Sequence, residues 1–173
     1  VVEALDDFDF SKVDVGLFSP GASVSKVHAP RAGAAGCVVI DNTSQFRYDD
    51  DIPLVVPEVN PQALANYPNR NIIANPNCST IQMVVALNPL HKKYKIKRIV
   101  VSTYQSVTGT GKKAVDQLMG ERLKAVEGIA PDYPMAYKYP IDLNVIPQID
   151  VFLDNAHTKE QRKMANETKK IIG

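Results

Sequence analysis

The sequence lacks the marks of several protein classes. No apolar run is long enough to cross a bilayer, so a membrane role is not expected. The net charge is only +1 and the acidic and basic residues are interspersed, without the basic stripe of a nucleic-acid binder. Cysteine is scarce: Cys37 and Cys78 show no metal-ligand spacing and make no disulfide framework, so no metal site is expected. Reduced thiols of this kind point to the cytoplasm. The opening VVEALDDFDF is acidic where a signal peptide is basic, and neither repeats nor low-complexity tracts occur. An initiator Met is missing too, and Val1 reads as the middle of a domain. The expectation is therefore an internal piece of a longer chain. What is present is apolar content of 45% over 173 residues, enough core for one domain or parts of two.

The first 76 residues read as parallel α/β. The apolar run at 13–18 followed by SPGAS predicts a buried strand ending in a turn. A helix is expected over 23–35, with Ser23 as N-cap and Pro30 kinking or interrupting it. GCVVIDN, 36–42, is a second buried strand, and strand–helix–strand spacing suits a crossover in an α/β sheet. The proline-broken DIPLVVPEVNPQAL is extended with turns, and RNIIANP is a third short strand. Residues 79–87 predict a helix with a buried face. From 77 onward an α+β region is expected: a strand at 95–107, an amphipathic helix at 112–127 that buries Val115, Leu118, Met119 and Val126, and an irregular connection at 131–147. A strand-like VIPQIDVFL and a final helix follow. Thr158 and Gln161 have capping-box spacing there, and Gly173 stands where a C-terminal glycine belongs.

Cys78 is the first candidate for chemistry. At a helix N-terminus the unpaired N–H groups and the dipole favour a thiolate, which is the nucleophilic form. The bland alternative is a small buried core residue. Asn77 and Ser79 beside it are polar and offer oxyanion donors. A base is harder to find, because His28, His91 and His157 all read as surface histidines. In TGTGKKA, Gly109, Gly111 and Ala114 fit the G-x-G-x-x-A dinucleotide pattern, but no acidic residue follows at the right distance. A tight strand-to-helix turn explains the same residues, and an anion or cofactor contact at the helix start is the other reading. Glu160 and Lys163 share a helix face beside Met164, Thr168 and Ile171; a solvated ion pair and a pocket border are the alternatives. Arg47 is a surface salt bridge or a phosphate fork.

Five strings, LFSPGASVSK, DNTSQFRYDDDIPLVVPEVN, NPNCSTIQM, TYQSVTGTGK and KMANETKKI, together resemble the aspartate-semialdehyde dehydrogenases, in order and over nearly the whole chain. The resemblance implies the distal part of a Rossmann-like NADP-binding domain over 1–76. Over 77–173 it implies the first part of an α+β catalytic and dimerisation domain of the glyceraldehyde-3-phosphate dehydrogenase C-terminal type. It implies reduction of L-aspartyl-4-phosphate to the semialdehyde, or the reverse reaction with phosphate, in lysine, threonine and methionine biosynthesis. Cys78 corresponds to the nucleophile that forms a thioester, with Asn77 beside it, and Gln105 to the residue that orients the substrate. Arg47 and Lys163 correspond to the pair that holds phosphate, and Glu160 to the acid that meets the substrate amino group. Ser19, Asn42, Thr108 and Gly109 would face NADP. A homodimer or tetramer is implied as well. The family's Gly-rich loop, its catalytic histidine and its carboxylate-binding arginine have no match here, so the piece alone is expected to be inactive; the alternative is a catalytically incompetent fragment or homologue that acts mainly as a dimerisation module.

Overall fold

In the computed structural model, residues 2–128 and 132–173 are described. The residues form two units, 1–98 with 160–173, and 99–159. In the first unit, β1 (Val15–Phe18), β2 (Val38–Asp41) and β3 (Ile72–Ala74) make a parallel sheet in the order β1-β2-β3. Val15 pairs with Val38, and Val39 with Ile72. Residues 53–55 add to the outer side of β3: Ala74 N–H donates to Pro53 O at 2.9 Å and Val55 N–H to Ala74 O at 3.1 Å. This is the extended, proline-broken segment, and a 3-10 helix over Pro61–Asn69 follows it, an element the proline signals concealed.

Helix α1 (Ala22–Ala34) joins β1 to β2 and starts at Gly21, whose φ of 96° suits glycine; Ser23 lies inside the helix and is not the cap. Pro30 does not interrupt it. The N–H that proline lacks would have paired with the carbonyl four residues back, and Lys26 there is on the exposed side, where water can take that carbonyl. Helix α2 (Cys78–Tyr94) carries Pro89 in the same way, with Val85 exposed four residues earlier, so it runs well past the expected end at 87.

The core gathers Phe10, Phe18, Val39, Ile52, Leu54, Val56, Ile72, Val84 and Ile171. Complete burial of the strands is not seen among the described residues. One face of the sheet packs on α1, while Val15 and Leu17 of β1 are exposed. Gly33 lies where α1 meets the end of the 3-10 segment, and a Cβ there would collide with the Arg70 carbonyl oxygen.

The second unit departs from expectation more. Helix α3 (Lys112–Glu127) has the expected bounds and begins at Gly111, φ 101°. Its buried residues are Ala114, Gln117 and Gly120, while Met119 and Val126 are exposed. The apolar stripe is thus not the buried one. No ladder forms at 95–107 among the described residues, and Val100 and Tyr104 stand exposed. A β-branched, alternating run supplies strand propensity, but a strand also needs a paired neighbour. VIPQIDVFL likewise contributes only an isolated bridge between Phe152 and Thr158. The connection at 132–147 is irregular; Pro131, its expected first residue, lies outside the described residues. Helix α4 (Lys159–Ile172) follows Thr158 directly and ends at Gly173, φ 93°, with Gly173 N–H donating to Lys169 O at 3.1 Å.

Candidate functional site

The carboxyl ends of the three parallel strands carry a polar edge, the place where ligands meet open α/β sheets. Ser19 follows β1, Asn42 follows β2 and Asn75 follows β3. Asn75 Nδ2 donates to Asn42 Oδ1 at 2.8 Å, and Asn42 Nδ2 donates to Ser19 Oγ at 3.3 Å. Just beneath, the buried Asp41 accepts from Ser25 Oγ at 3.1 Å and from the N–H and hydroxyl of Thr43 at 2.8 and 2.9 Å, which fixes the turn after β2.

Cys78 is the first residue of α2 and is exposed. The core-filler reading therefore fails for Cys78; it describes Cys37 instead. Cys37 is fully buried, and burial, with the Asp14 carboxylate as a lesser cause, pushes its thiol pKa up. Asn77 is the N-cap of α2: its Oδ1 accepts from Ser79 N–H at 3.0 Å and Thr80 N–H at 3.4 Å. Its Nδ2 donates to Glu160 Oε1 at 2.9 Å. The Asn77 carboxamide thus orients the turn that holds the cysteine.

Glu160 Oε2 in turn accepts from Lys163 Nζ at 3.2 Å, and these side chains are only 9% and 17% exposed. A solvated surface pair is excluded. Arg47 is 6% exposed, so of its two readings the surface salt bridge fails. Its Nη1 donates to Glu167 Oε1 at 3.0 Å and its Nη2 to Asn42 O at 2.9 Å, while the buried Nε has no hydrogen-bond partner among the described residues. Tyr48 next to it has its phenol pKa raised, first by burial and then by the Glu167 carboxylate.

Glu167 is the residue that sequence reasoning missed. It is fully buried, and while one oxygen takes Arg47 the other accepts the Asn77 N–H at 2.7 Å. A signal was there: Glu160, Lys163 and Glu167 stand at i, i+3 and i+7, and Ile171 continues that face into the core. Polar residues on the inward stripe of a helix are the informative kind. One turn further on, Lys170 Nζ donates to Asp49 O at 2.6 Å and Ile52 O at 3.3 Å, so α4 grips the Arg47 loop twice.

Arg47, Asn42, Asn77, Cys78, Glu160 and Lys163 all belong to the first unit. Gln105, Thr108 and Gly109 belong to the second. There Gln105 Nε2 donates to Thr103 Oγ1 at 3.3 Å, and Thr108 and Gly109 form a 3-10 turn in which Ser106 Oγ accepts from Thr108 N–H at 3.3 Å. The histidines do not reach Cys78 within its unit. His28 is on α1 with Arg31 at 2.9 Å, and His91 is thirteen residues along α2, about 20 Å of helix rise. His157 lies in the second unit. Among the described residues no cluster of His, Cys, Asp and Glu could hold a metal ion, and no helix is long and apolar enough to cross a membrane.

Comparison with known proteins gives two family matches. Residues 1–67 match the NAD binding domain of semialdehyde dehydrogenase, and residues 87–173 match the semialdehyde dehydrogenase dimerisation domain. Aspartate-semialdehyde dehydrogenase of Shewanella sp. (strain DB6705) is 57% identical over 98% of this chain and 50% of its own length. The enzyme of that name from Aquifex aeolicus is 51% identical over 99% of this chain and 51% of its own length. Among solved structures, aspartate semialdehyde dehydrogenase II of Vibrio cholerae complexed with ASA superposes with a TM-score of 0.94 at 55% identity, covering 98% of this chain and 50% of that one. A probable aspartate-semialdehyde dehydrogenase from Pseudomonas aeruginosa gives 0.83 at 26% identity, with coverage of 98% and 50%. The chain spans about half the length of the curated relatives it matches.

Proposed function

This chain belongs to the semialdehyde dehydrogenase family, and on that premise we propose that it supplies the nucleophile and much of the phosphate site of an aspartate-semialdehyde dehydrogenase that uses NADP. The observation that carries this reading is the exposed Cys78 at a capped helix start, in a turn bonded to Glu160 and Glu167 and, through them, to Lys163 and Arg47.

In the reducing direction the Cys78 thiolate attacks the acyl carbon of L-aspartyl-4-phosphate. The carbon–sulfur bond forms as the bond to the phosphate oxygen breaks, and phosphate leaves. Arg47 and Lys163 provide the positive charge that draws the phosphate, and Glu160 is the partner for the substrate ammonium. Gln105 orients the acyl group. The α2 N-terminus favours negative charge on sulfur, both before attack and when the thiolate is released with the aldehyde. Ser19, Asn42, Thr108 and Gly109 are the residues that would hold the dinucleotide. The hydroxyl and carboxamides at the strand ends suit ribose and phosphate groups, being polar and placed on the sheet's carboxyl edge. When bound, the reduced nicotinamide supplies the hydride that takes the thioester to the aldehyde level.

The reaction places the protein in lysine, threonine and methionine biosynthesis, and the free thiols accord with the cytoplasm. Residues 1–76 serve the cofactor and 77–173 open the catalytic and dimerisation domain. His28 and His91 do not reach Cys78 within its unit, and the chain spans about half the length of its relatives, so we infer that these 173 residues alone are inactive. The experiment is phosphate-dependent reduction of NADP with aspartate semialdehyde by the full-length enzyme. Cys78→Ala is expected to abolish turnover, and retention of wild-type rate would overturn the mechanism.

A second, compatible reading is assembly into a homodimer or tetramer. It is favoured by the exposed Val100, Tyr104, Val145 and Phe152 within the span that matches the dimerisation domain. Light scattering of the full-length enzyme is expected to give a dimer or larger, and a monomer at micromolar concentration would refute it.

A further inference from the structure

We propose that Glu167 is a positioning residue that locks the phosphate-holding arginine and the nucleophile's turn to one another. The proposal rests on the reading of Arg47 and Cys78 given above. Its own ground is geometric: a single fully buried carboxylate spends one oxygen on Arg47 Nη1 at 3.0 Å and the other on the Asn77 backbone N–H at 2.7 Å. Both partners are donors, so the position requires two acceptors and a carboxylate provides them. Asn77 is bonded to the adjoining Cys78 by a peptide link and caps the same helix. Arg47 is also tied to Asn42 O, at the end of β2. A shift of the arginine, as when phosphate arrives or leaves, is thereby transmitted to the cysteine's turn through one side chain.

The lock makes an uncommon mutational signature. Glu167→Gln keeps size and shape but has one acceptor and one donor. The charged arginine takes the amide oxygen, which leaves the amide nitrogen facing the Asn77 N–H, donor against donor. With Arg47→Met added, the amide is free to turn its oxygen to Asn77. In the full-length enzyme, E167Q is therefore expected to lower kcat about tenfold or more, with the phosphate KM changed far less. The rate of Cys78 alkylation by iodoacetamide, followed by peptide mass, is expected to shift about threefold or more from wild type. In R47M/E167Q the alkylation rate is expected to return to that of R47M alone, within about twofold, although phosphate binding is then weak. A residue that only stabilises the fold would give no such recovery.

Unchanged alkylation and kcat in E167Q, or a double variant that stays as perturbed as E167Q, would overturn the proposal. Should E167Q not fold, the comparison of R47M/E167Q with R47M decides alone, since the proposal requires their alkylation rates to agree. The alkylation arm needs no turnover. A wild-type enzyme without phosphate-dependent activity would sink the functional reading and still leave the role of Glu167 decided.

Discussion

Helices α3 and α4 each turn a polar stripe inward, and they hold different things with it. On α3, Gln117 Oε1 accepts the N–H groups of Ala136 and Tyr137 at 2.7 and 2.8 Å, and Glu121 Oε2 accepts those of Ile141 and Asp142 at 2.7 and 2.8 Å. Gln117 Nε2 closes the arrangement on Glu121 Oε1 at 2.8 Å. The partners are backbone amides of one irregular connection, and the result is a fastening for a loop. On α4, Glu160 and Glu167 each join a cation to Asn77, one through its side chain and the other through its N–H. The α3 stripe satisfies backbone that has no sheet to pair with. The α4 stripe brings charged groups from distant segments to the turn that precedes Cys78. Burial of polar residues alone does not separate the two cases; the presence of cations among the partners does.

If that contrast is right, removing the acceptors should harm the two units differently. The largest effect is expected for Glu167→Leu, which strands a buried guanidinium and the Asn77 N–H together. A loss of about 3–5 kcal/mol in chemical denaturation is expected, the scale for breaking a buried pair. A loss under about 1 kcal/mol would show that water reaches Arg47 readily and would break the contrast. Gln117→Leu keeps volume but leaves two loop amides unpaired, at a cost of about 2 kcal/mol. Hydrogen exchange should quicken at Ala136 and Tyr137, while Cys78 alkylation stays as in wild type. A milder opening of the same loop is expected from acid. Burial pushes the Glu121 pKa up, but the N–H of Asp142, the Gln117 amide and the N–H of Ile141 outweigh it, so the pKa lies below its ordinary 4.5. A lowered carboxylate pKa contributes stability above 4.5 that is lost as pH falls through the folded value. Exchange at Ile141 and Asp142, corrected for intrinsic rates, should therefore rise only below that pH.

The sequence made the first unit legible because its elements are bounded by local chemistry. Apolar runs between turn residues mark β1, β2 and β3, while the helices start earlier than expected: α1 opens at Gly21 and not at Ser23, and Asn77 caps an α2 that begins at Cys78 and not at Ser79. Cys78, Arg47, Glu160 and Lys163 could be singled out by position and by resemblance. Glu167 was missed although it continues the Glu160–Lys163 face toward Ile171, because a glutamate on a strongly charged helix reads as solvated until that face is seen to be the buried one. The strand at 95–107 failed for the opposite reason. Its residues have the propensity, but pairing is a property of two segments, and no described segment pairs with it. Pro30 misled because the cost of a helical proline depends on whether the orphaned carbonyl is wet, which no linear pattern records.

The bond between Arg47 and Glu167 closes 120 residues of chain, and that between Asn77 and Glu167 closes 90. Synthesis runs from the amino end, so the sheet and the capped start of α2 can form while α4 is still unmade. Through that interval the cysteine's turn has its cap but neither of its glutamates, and Arg47 has no buried counterion. Long-range closures of this kind come late in folding because their entropy must be overcome before they return any stability. The surroundings of Cys78 are thus completed by the last helix of these 173 residues, and a nascent chain carries this thiol for some time in an unfinished setting.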